Sequence, residues 1–185
     1  MRADPHEAVK WFRKSADAGN PDGQFKLGVM YENGKAVPKD MDEAVRLYRL
    51  AAEAGSARAQ ESLGELYEFG QAVQTDYQEA ARWYRQAIEG GDALSASQLA
   101  TMLFEGKGGT RDLPEAIRLW SWAAQQGEPL AQLTLAEVYM KGVGVSKDLK
   151  KSLSLLTQAA KRFDVSKELK EVSSQMEQEE RAELH

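Results

Sequence analysis

The 185-residue sequence predicts an all-α fold, an α/α solenoid of stacked helix pairs, and three observations carry that prediction. First, Asp4, Asp40, Asp76, Asp112 and Asp148 stand 36 residues apart, as do Gly19, Gly55, Gly91 and Gly127, and Gly34, Gly70, Gly106 and Gly142. Second, between these markers the apolar residues recur at helical spacing. Third, neither helix of a unit can bury its apolar stripe alone, so successive units must stack and share a core.

In chain order, the elements are a half repeat at 4–20, full repeats at 21–56, 57–92, 93–128 and 129–164, and a capping helix at 165–184. The half repeat holds only a helix B, at about 5–18. With no helix A before it, this end is expected to be an uncapped face, either cut from a longer array or open to a contact such as a homo-oligomer. Each full repeat then runs helix A, loop, helix B. Helix A is expected at about 22–33, 58–69, 94–105 and 130–141, and helix B at about 41–54, 77–90, 113–126 and 149–162. The recurring Asp is a favourable N-cap for helix B. Glu7, Glu43, Glu79 and Glu115 stand three residues on, where a carboxylate completes a capping box and faces the helix dipole. Lys151 takes that place in the last copy and predicts loss of the cap.

Within helix B, Ala44, Leu47, Tyr48, Ala51 and Ala52 form one stripe, repeated as Ala80, Trp83, Tyr84, Ala87 and Ile88. The small residues admit a neighbouring helix and the large ones fill the space between layers. Trp11, Phe12 and Trp120 fall on the same stripe and are read, with Trp83 and Tyr84, as packing rather than ligand stacking. Helix A turns inward with Leu27, Gly28 and Tyr31, then Leu63, Gly64 and Tyr67, then Leu99, Ala100 and Leu103, then Leu135, Ala136 and Tyr139. The glycines that end each helix suit a left-handed residue. In the tail, Val165, Leu169, Val172 and Met176 predict the capping helix, fraying beyond about Gln178.

The stretches LGVMYENGKAVPKD and LAEVYMKGVGVSKD carry the pattern of an LG or LA pair, Y, G and a loop ending in D. With the following Ala, aromatic, small-residue pair and Gly, they resemble the Sel-one-like repeat (SLR) family, relatives of the tetratricopeptide repeats. The resemblance covers about 4–163. It implies a right-handed superhelical solenoid of SLR/TPR-like helix pairs, with helix A lining the concave surface. It also implies the roles of such proteins: assembly of signalling, envelope or quality-control complexes and, for some bacterial members, immunity by binding and blocking a secreted toxin enzyme. Cysteine-rich members are linked to penicillin binding and hydrolysis, but this chain has no cysteine. Ala36 and Ala72 depart from the pattern at the second loop glycine, Gly109 at the loop valine and Leu103 at the helix A tyrosine, which leaves local loop geometry open.

Composition narrows the chemistry. A hydrophobic content of 42% suits an ordinary core, and no run approaches the roughly 20 apolar residues of a membrane span. A formal net charge of -5 with no basic block argues against nucleic-acid binding. The histidines are His6 and His185, too far apart in the repeat scheme to share a catalytic or metal site. Neither HExxH nor G-x-S-x-G occurs, and GKGGT at 106–110 lacks the spacing of a phosphate loop. Paired carboxylates could hydrolyse glycosides, but here they recur once per unit, as caps do. No catalytic, cofactor or metal residue is therefore expected.

Function is expected where copies differ. Opposite the inward stripe of helix A stand Phe25, Val29, Glu61, Glu65, Phe69, Thr101, Leu133 and Glu137, a mixture of apolar and acidic side chains. It suits a protein or peptide partner bearing apolar anchors and basic residues, although isolated apolar surface residues are ordinary in themselves. Leu50 and Trp122 occupy a helix B slot that holds Lys14, Gln86 and Gln158 in other copies, and could mark a convex contact or oligomer face. The reading is a non-catalytic adaptor or scaffold. Its alternatives are an immunity-type inhibitor of a toxin enzyme and, in another class, a hydrolase. A soluble bacterial protein of periplasm or cytoplasm is expected.

Overall fold

The computed structural model describes residues 4–183, which form ten α-helices and no strand. The helix B elements are α1 (Pro5–Asp17), α3 (Met41–Glu53), α5 (Tyr77–Glu89), α7 (Leu113–Gln125) and α9 (Leu149–Ala159). The helix A elements are α2 (Pro21–Asn33), α4 (Ala57–Phe69), α6 (Ala93–Glu105) and α8 (Pro129–Lys141), and α10 (Ser166–Glu183) closes the chain. Each helix A starts one residue before the expected position. Asn20, Ser56, Asp92 and Glu128 supply side-chain acceptors to the first-turn amides, as in Gly23 N to Asn20 Oδ1 at 2.9 Å.

The chain divides after Ser95 into two compact units. In the first, α1 to α5 pack each on the next, and Ala44, Leu47, Tyr48, Ala51, Ala59 and Leu63 lie fully buried between them. In the second, α7, α8, α9 and α10 pack in succession around Trp120, Leu135, Ala136, Leu156 and Val172. Burying one large apolar side chain is worth about 1.5–3 kcal/mol, so the repeated stripes supply the main driving force.

The capping of helix B differs from the expected box. Asp40, Asp112 and Asp148 each accept the amide of the residue three on, at 2.9–3.0 Å, and Asp76 accepts from Gln78 and Glu79. The reciprocal half is replaced. The cap's own amide donates across the loop to helix A: Asp40 N to Tyr31 O at 3.0 Å, Asp76 N to Tyr67 O at 2.9 Å, Asp112 N to Leu103 O at 3.0 Å and Asp148 N to Tyr139 O at 2.9 Å. The Glu carboxylates are thereby free to take the next turn's arginine, with Arg46 Nε to Glu43 Oε2 and Arg118 Nε to Glu115 Oε2 both at 2.7 Å. Lys151 consequently costs α9 only this ion pair and not its cap.

Three further expectations change. Trp11 is 61% exposed, whereas its register mates Leu47, Trp83 and Leu119 are buried; among the described residues no helix A precedes α1 to cover it, and Lys14 Nζ lies 5.6 Å from the ring centre. The last helix remains regular to Glu183 rather than fraying at Gln178, helped by Lys147 Nζ bonding Glu179 Oε1 at 2.8 Å. Ala36 and Ala72 keep the loop geometry of glycine, at φ 63° and 59° beside 79° and 73° for Gly108 and Gly144.

One correlation between helices was not read from the sequence. A Cβ at Gly28 would lie 2.7 Å from Tyr48 Cε1, and one at Gly64 still closer to Tyr84 Cε1. Where helix B carries tyrosine, helix A must therefore carry glycine, and four residues later it carries an acceptor. Tyr48 Oη donates to Glu32 Oε2 at 2.5 Å and Tyr84 Oη to Glu68 Oε2 at 3.0 Å. The next two repeats replace Gly–Glu–Tyr by Ala100–Phe104–Trp120 and Ala136–Met140–Leu156. The Phe104 and Trp120 ring centres stand 5.4 Å apart, an apolar contact in place of the hydrogen bond.

Candidate functional site

In the first unit, α4 presents Glu61, Glu65 and Glu68 at spacings that place them on one helical face, with Phe69 beside them and 58% exposed. Glu68 is buried by its bond to Tyr84. Glu61 is half-buried, and its pKa is pushed up to about 7, first by desolvation and then by the charges of Glu65, Asp92 and Glu32. The charges acting on it are all acidic. Both tyrosines resist ionisation: burial is the main cause for each, followed at Tyr48 by its bond to Glu32 and at Tyr84 by the charge of Glu68. Phe25 and Val29 are half-buried against the same core, with the Phe25 ring centre 5.6 Å from that of Tyr48. They form a wall of the face, and Phe69 is its projecting apolar group. The arrangement can receive a cation beside an apolar side chain.

In the second unit the helix A face is grooved. A cavity of about 390 Å³ is lined by Thr101, Phe104, Trp120, Thr134 and Glu137. The Thr101 hydroxyl is turned back onto Ser97 O at 3.0 Å, so its methyl is the group left to a ligand. A second cavity, of about 400 Å³, is lined by Leu133, Ala136, Glu137, Ser152 and Leu156 together with α10. Glu137 pairs with Lys141 on the ridge between the two. Trp120 Nε1 and Ser152 Oγ are both buried without a hydrogen-bond partner.

On the helix B side, Leu50 is exposed in a shallow groove with Val45, Ala72 and Val73, while Trp122 is half-buried on α7. The His6 amide donates to Asp4 Oδ1 at 2.9 Å, and His185 lies outside the described residues. Among the described residues no group of His, Asp and Glu side chains could hold a metal ion, and no helix is long and apolar enough to cross a membrane. Glu32, Glu68 and Ser152 were not singled out in the sequence, and Trp120 was read there only as packing. Comparing equivalent positions of helix A and helix B jointly, rather than each helix alone, would have found them.

The Sel1 repeat model matches residues 1–20, 21–56, 57–92, 93–128 and 129–162. Among solved structures, a Sel1 repeat protein from Oxalobacter formigenes is 38% identical over 88% of this chain and 66% of its own, with a TM-score of 0.85. A protective antigen of uropathogenic Escherichia coli strains displaying an SLR fold is 39% identical, with a TM-score of 0.81, over 86% of this chain and 34% of its own. The chain thus spans less than two thirds of either. The cysteine-rich protein B of Helicobacter pylori shares the fold at 22% identity and a TM-score of 0.54. The comparison with curated proteins finds no match. The fold common to the chain and these neighbours is an all-α array of successive helix pairs.

Proposed function

We propose that this chain, which belongs to the Sel1 repeat family, is a non-catalytic adaptor that holds a protein partner on the helix A faces of its units. Family members are in general protein-interaction scaffolds. The observation that carries the reading is Glu61, held half out of water among Glu32, Glu65 and Asp92 and one helical face from the exposed Phe69. A core needs no such group, whereas a partner lysine or arginine beside an apolar anchor would relieve it. Blocking a toxin enzyme would be one instance of such binding on the same face. Catalysis has no comparable support, because the recurring carboxylates hold helix caps and arginines, and Glu32 and Glu68 hold tyrosines.

The test is capture of a partner from the native source by purified chain, repeated with Phe69→Asp and with Glu61→Lys. Truncating or reversing an anchor at an interface centre costs about 2 kcal/mol or more, roughly thirty-fold in affinity. Both variants should lose the partner while retaining helicity. Retention of the partner by both would remove this face from the account, and robust turnover abolished by one carboxylate substitution would replace the adaptor by an enzyme.

A further inference from the structure

Trp11 and Trp83 are the same residue at the same register of helix B, yet Trp11 is 61% exposed and Trp83 only 5%. Trp83 is covered because α4 packs on α5 and brings it into one core cluster with Ala59 and Leu63. Leu47 is covered likewise by α2, through Leu27 and Tyr31. On α1 the matching stripe is Ala8, Trp11, Phe12 and Ser15, and none of these is buried, whereas Ala44, Leu47, Tyr48 and Ala51 all are. Val9, beside the stripe, is buried with Leu27 and Leu47, so the open stripe continues an interface already formed within the unit.

The stripe limits what can cover it. Small residues stand at its ends and two rings in its middle, so it fits a helix with a small residue between large ones; a second α1, with the same order of sizes, does not fit. Helix A has the complementary order, Leu27–Gly28–Tyr31 on α2 and Leu63–Gly64–Tyr67 on α4. A second copy has no such stripe to spare among the described residues, since Leu27, Leu63, Leu99 and Leu135 are buried within their own chain. Nor does α10 offer one, because Val165, Leu169, Val172 and Met176 pack into the α9 core. Phe12 adds a chemical requirement. It shares the register of Tyr48 and Tyr84, whose rings leave no room for a Cβ at Gly28 and Gly64, but it lacks the hydroxyl that Glu32 and Glu68 accept. Its cover must keep the glycine and carry an apolar residue in place of the glutamate. No helix A of this chain combines the two: α2 and α4 pair Gly with Glu, and α6 and α8 pair Ala with Phe104 and Met140.

We infer that α1 docks an amphipathic helix of a protein partner, seated as α2 sits on α3, with a Leu–Gly pair, then Tyr or Leu three residues after the glycine, and an apolar residue directly after that. This surface is separate from the face of Glu61 and Phe69 and does not rest on what binds there.

The probe is a synthetic peptide of residues 56–69, capped at both ends and carrying Glu68→Met, titrated into the isotopically labelled full chain while amide and indole spectra are recorded. Saturable shifts should centre on α1 and on the Trp11 indole. The peptide with Glu68 retained should bind at least about ten-fold more weakly, because its carboxylate would be buried against a ring that has no hydroxyl to offer. Phe12→Tyr supplies that hydroxyl and should reverse the preference between the two peptides. Trp11→Asp, a change at an exposed side chain, should abolish binding with the rest of the spectrum unchanged, and a peptide carrying Gly64→Val should not bind. Absence of saturable shifts overturns the inference, as does a preference between the two peptides that Phe12→Tyr leaves unaltered. Shifts centred on α3 and α5 also overturn it, since the peptide would then be exchanging with α4. Trp11 shifts that grow with chain concentration in the absence of peptide, together with a dimer in sedimentation, replace the partner's helix by a second copy.

Discussion

At the scale of single residues, Ala36 and Ala72 show how a family pattern can be broken in sequence and kept in space. Both occupy the left-handed region that Gly108 and Gly144 occupy without strain. A Cβ there costs about 1–2 kcal/mol, offset in part by the lower chain entropy of alanine in the unfolded state. Ala36→Gly and Ala72→Gly should therefore each raise stability by about 0.5–1 kcal/mol in urea titrations; a loss of stability in both would show that the loops tolerate alanine without strain. Glu61 makes a second prediction. Its folded pKa, about 7, lies above the ordinary carboxylate value of 4.5, so the folded chain binds this proton more tightly than the unfolded one. Its charge then opposes folding fully above pH 7, and the penalty is relieved as pH falls from about 7 towards 4.5. Glu61→Gln should stabilise the chain at pH 8, and its advantage in Tm should shrink by pH 5; an advantage that is constant with pH would mean that Glu61 titrates normally. The sequence shows Glu61 with Glu65 one turn on and marks Ala36 and Ala72 as departures from the glycine pattern, but neither the burial of Glu61 nor the approach of Glu32 from α2 and Asp92 from the start of α6 is written in it, because those come from packing.

The helices themselves were nearly all legible, because their signals are local. The Asp caps, the left-handed glycines and the apolar stripes fix each element to within a few residues, and the tail helix followed from four apolar positions. The capping box failed because an amide that looks unpaired in one helix had a partner in another: the Asp40 amide reaches Tyr31 O across the loop. The exposed Arg–Glu pairs that replace it are worth little individually, about 0–1 kcal/mol. The coupling of Gly64 to Tyr84 is the energetically larger pairing. Gly64→Ala should destabilise by about 1–3 kcal/mol, because the Tyr84 ring is fully buried and cannot move aside cheaply. Combined with Tyr84→Leu, which copies the Ala136–Leu156 pairing, the loss should be smaller than the sum of the single losses by about 0.5 kcal/mol or more. Additive losses in such a double-mutant cycle would separate the two positions.

For the molecule as a whole, one repeat design carries two different helix A faces. Gly–Glu–Tyr in the first unit buries tyrosines against carboxylates and leaves an acidic face beside Phe69; in the second unit, where Ala–Phe–Trp and Ala–Met–Leu stand instead, the face carries cavities lined by apolar and charged side chains together. The sequence shows the variable positions plainly, including Glu61, Phe69, Leu133 and Glu137, yet not that Phe25 and Val29 lean on the core. A face read from helical spacing alone takes no account of how far a neighbouring tyrosine ring reaches. The central claim is that a protein partner lies on helix A, and amide hydrogen exchange of the chain with and without its captured partner tests it most directly. Slowed exchange along Glu61–Phe69 of α4, with α3 and α5 unchanged on their outward sides, is the predicted result; protection confined to helix B around Leu50 and Trp122 would contradict it.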